Sequence, residues 1–171
     1  MYIRKSTEED LPAKLQLYEE ARQFMRENGN ASQWGDHKPT LEQILRDERQ
    51  GISYVCIDPD GQSGVKAPLD IVACFVYYVG VDPNYDEIRD GAWPNDTPYA
   101  TVHRITTKTG SHGVGTFCLN WAHDQHAPLR MDTHRDNKPM QNLLRKVGFE
   151  YCGVISLIDD DGSDRDAFIW R

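Results

Sequence analysis

The spacing of hydrophobic positions changes several times along this chain, and each change marks an element. Leu11, Leu15, Tyr18 and Met25, supported by Leu17, Ala21 and Phe24, recur at helical intervals up to about Glu27. Ser6 with Glu9 ahead of them fits a capping box, each side chain serving a free N–H of the other residue. Asn28-Gly29-Asn30 ends that helix. Thr40 with Gln43 forms a second capping box, Leu41, Ile44 and Leu45 supply an apolar face, and Gly51 supplies the stop. Strand-like runs rich in β-branched and aromatic residues fall at 1–5, 52–57, 71–79 and 99–106. Asp58-Pro59-Asp60-Gly61 is a turn signal, and between residues 80 and 98 three prolines and two glycines interrupt any regular element. That segment is expected to be an irregular excursion beside a sheet.

The stretch 103–149 carries the strongest signal. A strand leads into a compact loop with Gly113-Val114-Gly115, and a helix opens on those glycines. Val114, Phe117, Cys118, Trp121 and Ala122 make its one-sided apolar stripe. A strand over 129–134 follows. Asn137 then opens another helix, with Met140, Leu143, Leu144 and Val147 on one face and Gly148-Phe149 as its stop. Two closing strands, 151–158 and 166–170, flank Asp159-Asp160-Asp161-Gly162. A glycine pair at a helix start exposes unpaired N–H groups at the positive end of the helix dipole, a ready site for a phosphate or pyrophosphate. The third glycine of a dinucleotide fingerprint would fall on Cys118, and no Gly-Lys-Ser or Gly-Lys-Thr exists, so two other nucleotide-binding motifs are disfavoured.

The order β-α-α-β-β-β-α-β-α-β-β, with the glycine loop, Asn137 and Gly148-Phe149 in place, resembles the GNAT superfamily of acyl-CoA-dependent N-acyltransferases. The resemblance covers nearly the whole chain. It implies a single GNAT-like domain over 1–171 of the α/β (α+β) class. The sheet would be mixed, mostly antiparallel, with about seven strands and about four helices. It also implies that the fourth and fifth strands splay apart, the pantetheine arm of coenzyme A lying in the gap. The family's loop reads Gln or Arg, two residues, Gly, one residue, then Gly or Ala; Gly110 stands where the Gln or Arg would be. Phosphate holding then falls to the backbone of His112, Gly113, Val114, Gly115 and Thr116, with the hydroxyls of Ser111 and Thr116 and with Lys108. Asn137 is expected either beside the coenzyme A arm or as a helix cap, and the two are compatible. Many members carry a tyrosine acid seven residues after this asparagine; here the position is Leu144.

Acyl transfer to an amine needs the amine neutral, so a proton must leave, and a histidine near its ordinary pKa suits that task. His103 shares a strand face with Thr101 and Ile105; it is either this base, as in some members of the superfamily, or a half-buried sheet histidine. Arg130, Asp132 and His134 share one face of the next strand, where Asp132 or His134 is a second base candidate unless the three pair among themselves. By resemblance, the N–H of Ile105 or Thr106 would serve the developing oxyanion. Trp34, in Gln33-Trp34-Gly35-Asp36, is either a wall of the acceptor pocket or a buried anchor, and the same choice holds for Tyr85, Trp93 and Tyr99. His123 and His126 have no cysteine or carboxylate cluster to complete a metal site; no metal is expected, and they read as a solvated helix end.

Composition narrows the partners. The net charge of −8, from 19 basic against 27 acidic residues, argues against a nucleic acid or an anionic membrane. No run of about 18 apolar residues is present. The first residues lack the apolar centre of a secretory signal, and four dispersed cysteines without a C-x-x-C pair suggest buried thiols and a cytoplasmic setting. The expected activity is transfer of an acetyl group from acetyl-CoA to a primary amine, of a small molecule or a peptide, by direct attack in a ternary complex. The alternative is a non-catalytic GNAT-fold module that senses acyl-CoA. A monomer or a homodimer fits either.

Overall fold

A computed structural model describes all of residues 1–171. The elements run β1 (Tyr2–Lys5), α1 (Leu11–Glu27), α2 (Leu41–Arg49), β2 (Ser53–Ile57), β3 (Ile71–Val79), β4 (Ala100–Thr107), α3 (Val114–Gln125), β5 (Leu129–Thr133), α4 (Lys138–Val147), β6 (Glu150–Ser156) and β7 (Asp164–Trp170). One seven-stranded sheet has the order β1-β2-β3-β4-β5-β7-β6. Every neighbouring pair is antiparallel except β4 and β5. The expected mixed sheet is therefore the one formed. No helix is long and apolar enough to cross a membrane.

The helix caps follow the sequence at α2 and depart from it at α1. Thr40 N donates to Gln43 Oε1 at 2.8 Å, and Gln43 N returns to Thr40 Oγ1 at 3.2 Å. The Ser6–Glu9 box does not form. Instead Thr7 N donates to Asp10 Oδ2 at 2.8 Å, heading a short 3₁₀ turn (Glu8–Asp10) that runs into α1. Ser6 is withdrawn because its hydroxyl belongs to a buried cluster: it lies 2.9 Å from Ser53 Oγ and accepts from Lys14 Nζ at 3.0 Å, while Lys14 pairs with Glu48 at 2.5 Å. A buried ammonium needs those partners more than the helix needs that particular cap.

Both faces of the sheet are covered. Val102, Ile105, Val114, Cys118, Leu144 and Phe149 belong to one apolar cluster with α3 and α4. Leu17, Tyr18, Ile44, Val55 and Ile71 form a second with α1 and α2. The excursion 80–98 is tied down by Tyr85, and its exit by Tyr99, both packing with Ile155 and Ala167. Its backbone also bridges to β6, Arg89 N to Val154 O at 2.8 Å and Val154 N to Arg89 O at 2.8 Å. Gly91 permits that approach, since a Cβ there would meet Cys152 O at 1.9 Å.

Two irregularities open the sheet. Opposite Phe75 of β3 stand two residues of β4, Arg104 and Ile105, because the register jumps between Val76↔His103 and Cys74↔Thr106. Arg104 takes φ 52°, the left-handed region. Such a bulge bends its strand. On its other edge β4 pairs with β5 only at Ala100↔Leu129 and Thr101↔Arg130, after which the strands part. The bulge also corrects a face assignment. His103 does not share a face with Ile105, which packs with Val102 on the α3 side.

Candidate active site

The parting of β4 and β5 leaves two clefts. One, about 410 Å³, runs over the glycine loop between α1 and α4; the other, about 690 Å³, surrounds His103. Met25, Ile105, Asn137 and Met140 line both, so the clefts meet at the splay.

The first cleft is built from the start of α3. Gly113 takes φ 75° as its N-cap, and a Cβ there would meet nothing within 4 Å, so the backbone is open to a ligand. The N–H groups of Val114, Gly115 and Thr116 precede the first helical bond, Phe117 N to Gly113 O at 2.9 Å. They form the positive end of the helix. Ser111 Oγ is buried without a protein partner beside them, a donor left for something else. Gly115 answers to packing as well, since its Cβ would stand 2.9 Å from Leu143 Cδ2 of α4. Two expectations fail here. The His112 N–H is taken by Ser63 O at 2.9 Å, and the Lys108 ammonium is paired with Glu20, whose Oε2 also accepts from Thr109 N at 3.2 Å.

Asn137 caps α4, its Oδ1 accepting from Met140 N at 3.1 Å. Its amide also donates to Gln33 Oε1 at 2.9 Å, linking the α1–α2 connection to the splay. Leu144, where the family's acid would stand, is fully buried in the core.

In the second cleft His103 lies between two carboxylates. Its Nε2 is 2.6 Å from Asp82 Oδ2, and its Nδ1 is 3.7 Å from Asp132 Oδ1. The Tyr78 hydroxyl donates to Asp82 Oδ2 at 2.8 Å, and Asn84 gives Oδ1 both its backbone N–H and its amide at 2.9 Å. Burial opposes the charge on Asp82, but the imidazole and these donors outweigh it and bring its pKa down to about 2. The Tyr85 hydroxyl donates to Asp132 Oδ1 at 2.8 Å. Burial, with the neighbouring carboxylates, raises the pKa of both Tyr78 and Tyr85, so both phenols keep their protons as donors.

Of the two alternatives for Arg130, Asp132 and His134, pairing among themselves does not occur. The Arg130 guanidinium lies 4.3 Å over the Trp93 ring and 4.1 Å over Tyr99, and its Nη2 donates to Asn95 O at 2.7 Å. That leaves Asp132 to Tyr85 and His103. His134 falls just past the end of β5, where Nδ1 accepts from Asp136 N at 3.2 Å. Burial and then the charge of Arg165 lower its pKa. Of the three bases considered, the structure brings together His103 and Asp132 and leaves His134 apart from them.

Of the four aromatics weighed as pocket walls, Trp34 alone lines the second cleft, packing edge-to-face on Tyr18 at 5.8 Å. Tyr85 and Trp93, expected as possible pocket walls, are anchors: Trp93 Nε1 donates to Tyr85 O at 2.9 Å, and the rings lie 5.3 Å apart. Ile105 lines both clefts, while Thr106 lines the first and turns its hydroxyl toward Leu17 O at 3.4 Å. His123 stacks on Trp170 with centroids 3.9 Å apart, and no cluster of three or more His, Cys, Asp or Glu side chains is placed to hold a metal.

Sequence reasoning missed Asp82, Tyr78 and Asn84. The one available signal was Asp82 directly before Pro83, a capping residue opening a turn inside the irregular segment. It announces a turn, and only the fold carries that turn to His103.

No family model and no curated protein sequence matches the chain. Solved structures do. A GNAT-family acetyltransferase from Streptococcus agalactiae is 27% identical, with TM-score 0.84, over 99% of this chain and 94% of that one. A GNAT-superfamily phosphinothricin acetyltransferase from Sinorhizobium meliloti, solved with acetyl-CoA, is 13% identical with TM-score 0.61, over 98% of this chain and 86% of that one. A chain of the NatC complex bound to Gag peptide and coenzyme A is 13% identical with TM-score 0.59, over 99% and 96%.

Proposed function

We propose that this chain, a GNAT acyltransferase by fold, moves an acetyl group from acetyl-CoA to a primary amine within a ternary complex. The carrying observation is the meeting of two clefts at the β4–β5 splay, one headed by free N–H groups and the other by His103 between Asp82 and Asp132. Acetyl-CoA, when bound, supplies an acyl group already activated as a thioester. The N–H groups of Gly113 to Thr116 and the Ser111 hydroxyl are suited to its pyrophosphate, and Asn137 lies where its arm would pass toward Ile105.

On the acceptor side, ionised Asp82 keeps the proton of the neutral imidazole on Nε2. Nδ1 is then the lone-pair nitrogen, and it faces Asp132 across 3.7 Å. An ammonium entering the cleft is drawn to Asp132 and gives its proton to Nδ1, directly or through a water. Asp82 then stabilises the imidazolium. Trp34 would wall the acceptor. With Leu144 in the core, departure of coenzyme A proceeds without the family's tyrosine. The sensor reading draws on Leu144 and Gly110, but it leaves a part-buried His103, hydrogen-bonded to the buried Asp82 in the acceptor cleft, without purpose.

Titration with acetyl-CoA, followed by a thiol-release assay with a panel of primary amines, separates the two. Amine-dependent release of free coenzyme A is expected. Tight acetyl-CoA binding with no release for any amine would establish the sensor instead.

A further inference from the structure

The acceptor cleft holds one buried cation with no counter-ion. Arg165, on β7, is 5% exposed and lines this cleft. Its Nη1 donates to Ser163 Oγ at 2.6 Å and to Asp164 O at 3.0 Å. Its Nε and Nη2 meet no acceptor of the protein, and no carboxylate pairs with it. The neighbouring cations differ: Arg104 is paired with Asp47 at 2.7 Å, and Lys38 bridges Asp160 at 2.7 Å and Asp161 at 2.9 Å. The other unpaired charges of the cleft, Arg46 and Asp159, are exposed at its rim. A guanidinium largely withdrawn from water and left without an anion is unfavourable, and its two open donors, still reachable from the cleft, form the fork that receives an oxyanion.

The sheet register sets where that fork stands. β5 pairs with β7 through Asp132↔Ala167 and Thr133↔Asp166, so Arg165 lies on the same sheet face as Asp132 and is its diagonal neighbour. Diagonal cross-strand neighbours lie about 7–8 Å apart, their Cβ atoms somewhat closer. The positive pole of the cleft is thus a few bonds' length from the pole formed by His103 and Asp132.

We propose that the acceptor is a zwitterion: a small-molecule amine that also carries a carboxylate or similar oxyanion, held by Arg165 while its nitrogen faces His103. This deepens the acyl-transfer reading and rests on it. A chain of net charge −8 offers such an anion few other attractive places.

The test uses the intact protein, acetyl-CoA, and matched amines with and without a carboxylate: phenylalanine and phenethylamine, methionine and 3-(methylthio)propylamine, 4-aminobutyrate and butylamine. In at least one pair the carboxylate-bearing member should have the higher kcat/KM, by about tenfold or more, as expected for a charge-assisted bidentate contact. Arg165→Lys keeps the charge and loses the fork. It should raise KM for that member by about tenfold while sparing kcat and its carboxylate-free partner, with acetyl-CoA affinity and Tm unchanged. Because the comparison within pairs needs no substitution, a variant that unfolds does not blunt it. Equal kcat/KM within every pair, no turnover of any carboxylate-bearing member, or an Arg165→Lys loss shared by both members overturns the zwitterion. Acyl transfer would survive any of these if the plain amines still released thiol. Absence of acetyl-CoA binding would instead remove the acyl-transfer reading itself.

Discussion

Nε2 of His103 lies 2.6 Å from Oδ2 of Asp82, a buried carboxylate carried by the irregular excursion between β3 and β4. Because its folded pKa falls to about 2, below the ordinary 3.8, Asp82 stabilises the fold above the ordinary value. That stability is lost as pH falls from about 5 toward 2, and amounts to about 2 kcal/mol. Asp82→Asn should therefore flatten acid unfolding in that window, read as Tm against pH. It should also lower kcat by at least about tenfold, because the tautomer of His103 is no longer held. An unchanged acid transition would show that Asp82 is not ionised against His103.

His103→Gln removes the proton acceptor and keeps a polar side chain. Assisted proton transfer is worth about 10²–10⁴-fold, so turnover should fall by at least about tenfold with little change in acetyl-CoA affinity. Equal turnover of variant and parent across pH 6–9 would make His103 a sheet histidine only.

Gly113→Glu places a carboxylate in the first cleft, at a residue whose φ is 75°. Coenzyme A affinity should drop by about tenfold or more, since the added charge opposes the pyrophosphate at the helix start. Gly113→Ala carries the same left-handed strain, about 1–2 kcal/mol, without the charge, and serves as the control. A folded Gly113→Glu variant that binds coenzyme A like its parent would move the pyrophosphate elsewhere.

Trp34→Ala should raise KM for the amine by about tenfold while leaving acetyl-CoA affinity intact, since Trp34 lines only the second cleft. An anchoring role predicts instead a loss of about 3–5 kcal/mol in stability. Early melting with unaltered amine kinetics in the folded fraction would end the pocket assignment.

The sequence by itself determined the element order, the Thr40–Gln43 cap, the glycine start of α3 and the Asn137 cap of α4. These depend on residues within a few positions of one another, so spacing and capping chemistry suffice to read them. The tertiary structure decided the rest. Alternation along β4 placed Ile105 with His103, but the bulge at Arg104, φ 52°, reversed the faces beyond it. Ser6 lost its cap to the buried Lys14 cluster, and Arg130 left Asp132 for two aromatic rings. The union of Asp82, His103 and Asp132 joins a turn to two parting strands, and the unpaired fork of Arg165 is visible only once its neighbours are found paired elsewhere. Each outcome is a competition among groups distant in the chain for the same partner or the same space, which local spacing does not encode.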